Sequence, residues 1–364
     1  MCALPIRESL NAIPVYKPAK SSEDSGRDLT RIVRLAANEN TLGFSPLAEE
    51  AVRRAAARMN WYPDPHSSRL RAKLAEKRGF LPEQLIFGNG SFELLSLAAQ
   101  AYLNPGEEAI VPSPSFGWYN VATLGAGSVP VVVPLTDHKI DLSAIRERLT
   151  PRTRLIWLCN PNNPTGTYFS AGELEAFLAE VPDSVAIVVD EAYYEYADGE
   201  DYPDTVRLLE RYPNLIAVRT FSKAYGLAGL RIGYGIASPG TIETLNRIRP
   251  PLNVNALAEA AAVASLEDTD FVAAVLANNR EQKRFYYDSF RELGLAYLPT
   301  ATNFIMVDLG TESDPVYAEM AQRGVLVRPG SDFGMPTWLR ISIGKPDENR
   351  RAVELLRQAL GAKV

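Results

Sequence analysis

The sequence predicts an α/β fold: a large domain with a mostly parallel sheet flanked by helices, joined to a smaller α+β domain. Three observations predict it. Short, continuously apolar runs alternate with helical patterns up to about residue 222, which is how strands buried on both faces of a parallel sheet read. Polar and glycine-rich clusters follow those runs, where open α/β sheets bind ligands. After about residue 250 the texture changes to long Ala/Leu/Glu/Lys/Arg-rich helices with few strands. At 364 residues the chain exceeds what one core usually supports. The large domain is therefore assigned to 37–250, and the small one to 1–36 with 251–364.

The N-terminal stretch is polar and interrupted by prolines, and KSSEDSGRD reads as a solvated loop. Helical patterns follow over 46–59, where Pro46 suits a first turn, and over 66–79. Strands are expected at LIF (85–87), EAIVPS, RLIWLC (154–159), VAIVVD (185–190) and LIAVRTFS (215–222). Helices are expected at ELLSLAAQAYL, near 116–125 and from about Ser170. In the C-terminal part, NFIMVDL (303–309) and WLRISIG (338–344) read as strands, with a loop at Ser331 to Pro336.

Composition narrows the function. The net charge of −6 gives no general attraction for nucleic acid or an anionic membrane. Cys2 and Cys159 make neither a disulfide framework nor a zinc motif, and no metal is expected. No apolar run approaches the roughly 20 residues of a membrane span. The N-terminus lacks the apolar segment of a signal peptide, so a cytoplasmic protein is expected. Only two histidines occur, His66 and His138, each alone in polar surroundings. Chemistry must come from other groups.

Four clusters qualify. Gly88-Asn89-Gly90-Ser91 lies between a strand and a helix, where backbone N–H groups favour a phosphate; a glycine turn without ligand explains it about as well. Asn160-Pro161-Asn162-Asn163-Pro164-Thr165-Gly166 follows RLIWLC, and its prolines let Asn163 present a rigid amide. An Asx-type turn accounts for the prolines but poorly for the doubled asparagine. Asp190-Glu191-Ala192-Tyr193 ends VAIVVD. A carboxylate there is partly desolvated and needs a cation, which a protonated pyridine nitrogen would supply. An Asp that caps the next turn is the plain alternative, while a Walker-B type Mg²⁺ ligand is disfavoured because no GxxxxGK[ST] precedes it. The stretch from Thr220 to Gly233 holds Lys223, able to form an imine with a carbonyl, with Ser222 and Arg231 suited to a phosphate. Together the clusters supply what pyridoxal 5′-phosphate (PLP) needs: a lysine for the aldehyde, an acid for the ring nitrogen and donors for the phosphate.

The residues also resemble fold-type I PLP aminotransferases, and more closely the histidinol-phosphate aminotransferase family. The carriers span nearly the whole chain: VYKPAK, LAANEN (35–40), WYPDP (61–65), GNGS, PSFGWY (114–119), CNPNNPTGT, VDEAYYEY, RTFSKAYGLAGLRIGYGIA, RPPLNVN (249–255) and LRISIG. The resemblance implies an aspartate aminotransferase-like fold and amino transfer from histidinol phosphate to 2-oxoglutarate. It makes Lys223 the Schiff-base lysine and proton shuttle, and Asp190 the partner of the pyridinium nitrogen. Tyr193 and Asn163 would bond the ring's 3′-oxygen, and Phe116 would stack on the ring. Ser222, Arg231 and the backbone at Gly90, Ser91 and Phe92 would hold the phosphate. Tyr62 would reach the phosphate of a neighbouring subunit, which implies a homodimer with shared active sites. Arg340 would bind the substrate's anionic group, helped by Arg328, Tyr16 and Asn38.

Two departures stand out: Phe92 replaces a frequent Asp, and Thr41-Leu42-Gly43 replaces a more usual Pro-containing turn. An aromatic aminotransferase and a decarboxylase of a phosphorylated amino acid share the motifs and remain as alternatives. A non-catalytic PLP-binding regulator carries a DNA-binding domain, which is not expected here.

Overall fold

The computed structural model describes residue 4, residues 6–15 and residues 32–361. In chain order its strands are β1 (Val33–Arg34), β2 (Leu85–Gly88), β3 (Glu108–Ser113), β4 (Val129–Pro134), β5 (Thr153–Cys159), β6 (Ala186–Asp190), β7 (Leu215–Thr220) and β8 (Gly233–Ala237). They are followed by β9 (Ala296–Leu298), β10 (Phe304–Asp308), β11 (Val325–Leu326), β12 (Arg328–Pro329) and β13 (Trp338–Ser342).

Seven strands form one sheet in the order β2-β8-β7-β6-β5-β3-β4. From β4 to β7 the neighbours run parallel, whereas β8 is antiparallel to both β7 and β2. Strands β6, β7 and β8 are buried at every position, as expected for a sheet covered on both faces. Two members, β4 and β8, add to the strands expected from sequence. Strand β4 is VPVVVP, whose prolines read as breaks; it lies at the sheet edge, where a missing N–H is tolerated. Strand β8 is GYGIA, whose glycines weaken the strand pattern.

The expected helices form with shifted ends. The first runs over Pro46–Ala56, capped by the Ser45 hydroxyl, which accepts from the Leu47 N–H at 3.1 Å. The next is Ser68–Arg78, and the helix after GNG is Ser91–Tyr102. Ser170 caps Ala171–Leu178 in a capping box with Glu173.

A second, four-stranded antiparallel sheet has the order β12-β13-β10-β9, and β1 pairs with β11 in parallel. The turn Gly330–Phe333 falls in the segment linking β12 and β13. Around this sheet a separate core gathers Leu35, Tyr286, Phe290, Met320, Ile341 and Leu356. Helix Ala256–Glu267 packs instead on Pro46–Ala56, burying Ala258, Ala261 and Ala262 in the larger core. The turn Glu8–Ala12 lies against the helix Trp118–Gly125.

Candidate active site

The carboxyl ends of the parallel strands bring the first residues together. Asp190 ends β6, directly between Cys159 of β5 and Val218 of β7. Its side chain is buried, and two donors hold it: the Tyr119 hydroxyl at 3.0 Å and the Ala192 N–H at 3.1 Å. Burial pushes its carboxyl up, and the two donors pull it back, leaving a value of about 6. Lys223 follows β7 on a partly buried turn, with Nζ donating to Asn38 O at 3.2 Å and Ala37 O at 3.3 Å. Burial and the nearby Arg340 and Arg231 lower its amine to about 8, against the opposing pull of Glu39 and Asp190.

Asn38 is the hub that ties this pair to the second sheet. Its Nδ2 donates to the Tyr193 hydroxyl at 2.9 Å, while its backbone N–H donates to the Ser342 hydroxyl at 2.9 Å. Ser342 in turn donates to Asn38 Oδ1, and Asn303 donates to Asn38 O at 3.0 Å. The residue sits at φ 55°, a left-handed conformation that asparagine tolerates better than most. Tyr193 is buried, its phenol raised by desolvation above its ordinary value. Its ring meets that of Phe304 edge-on at 5.1 Å.

Arg340 lies on β13 with its side chain buried between rings, 5.2 Å over Phe304 and 4.9 Å over Phe333. It donates to Asn163 Oδ1 at 2.5 Å and to Ala36 O at 2.9 Å. The doubled asparagine thereby divides into two roles. Asn162 holds the loop, accepting from Ser115 at 2.7 Å and donating to Thr165 at 2.9 Å. Asn163 faces the arginine. Arg328 stands opposite Arg340 in the β12/β13 register, but it is engaged by Asp332 at 2.5 Å.

A cradle forms beside Lys223. Gly90 has φ 80°, and a Cβ there would collide with the Arg231 guanidinium. Gly233 at the start of β8 leaves room for the same turn, since a Cβ on it would lie 2.7 Å from Ser91 N. Ser91 and Phe92 open the helix Ser91–Tyr102, so their N–H groups are first-turn donors. Arg231 is itself left-handed, at φ 58°, with Nη1 donating to Ala228 O at 3.0 Å. Ser222 is buried, and its hydroxyl accepts from Thr220 at 2.9 Å.

The remaining expected residues differ in placement. Phe116 is partly buried, edge-on to Phe92 at 5.1 Å and to Tyr119 at 5.6 Å. Tyr62 is not gathered with the others; it stands 88% exposed, beside exposed Met59 and Trp61. Tyr16 lies outside the described residues.

Comparison with known proteins settles the family. Residues 30–356 match the family model "Aminotransferase class I and II". The chain is 44% identical to histidinol-phosphate aminotransferase 2 of Carboxydothermus hydrogenoformans, over 98% of this chain and 99% of that protein. The chain belongs to the histidinol-phosphate aminotransferase family of class I and II aminotransferases. It is also similar to the crystal structure of histidinol-phosphate aminotransferase from Sinorhizobium meliloti in complex with pyridoxal-5′-phosphate. That match has a TM-score of 0.91 and 30% identity, covering 99% of each chain. Aspartate aminotransferase from Thermus thermophilus shares the fold, with a TM-score of 0.83 at 24% identity over 98% of this chain and 100% of that one. The fold and family implied by the sequence motifs are both borne out.

Several site residues escaped the sequence reading. Tyr119, which holds Asp190, lies inside PSFGWY, so a motif flagged the region but not the residue. Glu39 lies in LAANEN in the same way. Ser342 lies in LRISIG likewise, whereas Asn303, Phe304 and Phe333 fall in none of the motifs, and only packing of the second sheet brings them in.

Proposed function

We propose that this chain is a PLP-dependent aminotransferase that moves the amino group of histidinol phosphate to 2-oxoglutarate. The observation that carries the reading is the meeting of Lys223, Asp190, Tyr193, Asn163 and Arg340 around one point, with the Gly90/Arg231 cradle beside it. The residues fit the cofactor: a buried carboxylate held by two donors needs a cation, and the absence of a Cβ at Gly90 lets the Arg231 guanidinium stand beside the first-turn N–H groups of Ser91 and Phe92. Asp190 would hold the ring nitrogen, Tyr193 and Asn163 the 3′-oxygen, and Phe116 one ring face. Ser222, Arg231 and the N–H groups of Gly90, Ser91 and Phe92 would hold the phosphate.

When bound, PLP supplies an electron-withdrawing ring that stabilises negative charge at the substrate's α-carbon. Lys223 does the proton work. Its amine, lowered to about 8, is substantially neutral in mildly alkaline solution and can take the Cα proton and hand it on. Asp190 stays ionised above its value of about 6, so it keeps a positive partner protonated. Arg340 offers a buried guanidinium to the substrate's anionic end, phosphate in one half of the cycle and a carboxylate of 2-oxoglutarate in the other. Arg328 would assist once released from Asp332, and Asn38 would position Tyr193 while lining the substrate side. Tyr16 is proposed as a further helper.

We read the assembly as a cytoplasmic homodimer, with Tyr62 reaching the phosphate of the second subunit. Exposed Met59, Trp61 and Tyr62 support this reading. So does an apolar hollow of about 380 Å³ lined by Phe44, Ala48, Val52, Leu227 and Leu230. Sedimentation equilibrium should give twice the chain mass; a monomer would remove the shared site. Among the described residues no helix is long and apolar enough to cross a membrane. The domain division at 37–250 is proposed with the two separate cores in support, although Glu8–Ala12 and Ala256–Glu267 lie against the larger core.

The deciding experiment is an absorbance titration of the PLP-loaded protein with histidinol phosphate and L-phenylalanine in parallel. The visible band should bleach at low histidinol phosphate. Bleaching by phenylalanine alone would move the substrate to the aromatic amino acids.

A further inference from the structure

The motif Arg249–Asn255 has no role in the chemistry above, yet it touches both walls of the cradle. Asn253 Nδ2 donates to Glu93 Oε2 at 2.6 Å and to Phe87 O at 3.0 Å. The same Glu93 oxygen accepts the Asn89 N–H at 2.6 Å, so it clamps the turn whose next residues are Gly90 and Ser91. On the other side, Asn255 Nδ2 donates to Leu230 O at 3.0 Å, at the residue preceding left-handed Arg231. Arg249 continues the chain: Nη1 donates to Asn253 Oδ1 at 2.6 Å and Nη2 to Pro65 O at 3.2 Å. Pro65 closes the WYPDP segment that carries Tyr62. Between these contacts Leu252 adopts φ 59°, which costs a branched residue on the order of 1–2 kcal/mol and persists only where surroundings impose it.

One short segment thus bonds to the glycine turn, to the arginine turn and to the tyrosine loop. Phosphate binding needs those three to keep a fixed spacing, because donors displaced by an ångström no longer converge on one anion. We infer that Asn253, through Glu93, is a positioning residue that sets the geometry of the phosphate cradle, and that Arg249 couples this brace to the Tyr62 loop. Neither side chain needs to touch the cofactor. The inference rests on the reading of the cradle as the phosphate site.

The test compares full-length protein freed of cofactor and titrated with PLP or with pyridoxal, which has the same aldehyde but no phosphate. Wild type should bind PLP far more tightly. Asn253→Ala should lose PLP affinity on the order of tenfold, the equivalent of about one hydrogen bond, with pyridoxal affinity within about twofold of wild type. Arg249→Ala should show a smaller loss of the same kind, and Arg249→Lys should recover part of it. Thermal unfolding of each cofactor-free variant checks folding, and Asn253→Ser serves if the alanine variant does not fold. Equal losses for PLP and pyridoxal, or no loss for either, would overturn the brace. A wild type that does not prefer PLP over pyridoxal would instead overturn the cradle reading itself, and the brace with it.

Discussion

The amide of Asn38 donates to the hydroxyl of Tyr193 over 2.9 Å, across 155 positions of sequence. Through this bond the segment preceding the first long helix fixes a phenol at the end of the central sheet. The carbonyl of the same asparagine also receives the Lys223 amine. One residue therefore orients two of the groups assigned to the chemistry.

Replacing Asn38 separates its amide from its backbone. Asn38→Gly removes the amide but keeps φ 55° accessible, whereas Asn38→Ala loses both. Both should lower kcat/KM by on the order of tenfold. Denaturant unfolding should find the alanine variant less stable than the glycine variant by about 1 kcal/mol. The reverse order would show that the strain is not carried here.

Lys223→Ala should abolish turnover while the protein still binds PLP without a covalent bond. In wild type freed of cofactor, the rate of imine formation with pyridoxal should rise through a midpoint near pH 8, following the neutral amine. A midpoint near the ordinary lysine value of 10.5 would mean that neither burial nor Arg340 and Arg231 lowers it.

Asp190 gives a stability prediction with a definite sign. Its folded value of about 6 lies above the ordinary 3.8, so the folded state binds more protons between these values. Stability of the cofactor-free protein therefore falls as pH rises through that window, by about 3 kcal/mol in full above it. Asp190→Asn should remove the cost. Its amide can donate to the Tyr119 oxygen while its carbonyl still accepts from Ala192. Chemical denaturation should show the variant more stable at pH 7.5 and equal to wild type near pH 4, with much weaker PLP binding. A variant that is no more stable at pH 7.5 would contradict the argument.

Arg340→Ala should raise KM for histidinol phosphate by about 10- to 100-fold, as expected for losing a charged hydrogen bond in a buried site, with PLP affinity changed far less. Arg340→Lys should not restore it, because one ammonium cannot bond Asn163 and Ala36 and face the substrate together. Steady-state kinetics on the pair decides this, and an unchanged KM would remove Arg340 from the site.

Arg219, on the strand that leads to Lys223, and Glu191, which follows Asp190, form an ion pair at 2.8 Å with both side chains buried. Removing one partner leaves a buried charge alone. Arg219→Met should thus cost about 3–5 kcal/mol in denaturant unfolding, and the double variant Arg219→Met/Glu191→Leu should recover much of it. Equal losses in the single and double variants would point to packing rather than charge.

The sequence alone determined the alternation of strands and helices, the large sheet's mostly parallel character and the motif residues at its strand ends. These are local properties: apolar runs, prolines and glycines act within a few residues, and Lys223 and Asp190 directly follow or end such runs. The strands β4 and β8 were hidden because proline and glycine weaken a local pattern that an edge position or a close approach can tolerate. Only the tertiary structure decided which asparagine of the doubled pair meets Arg340, and that Tyr119 holds Asp190. It alone showed Arg328 engaged by Asp332 and Asn38 as the hub between the two sheets. The contacts of Asn163 with Arg340, and of Asn38 with Tyr193 and Ser342, join residues more than a hundred positions apart. They depend on how the two cores pack against each other, which no periodicity in a single segment can express.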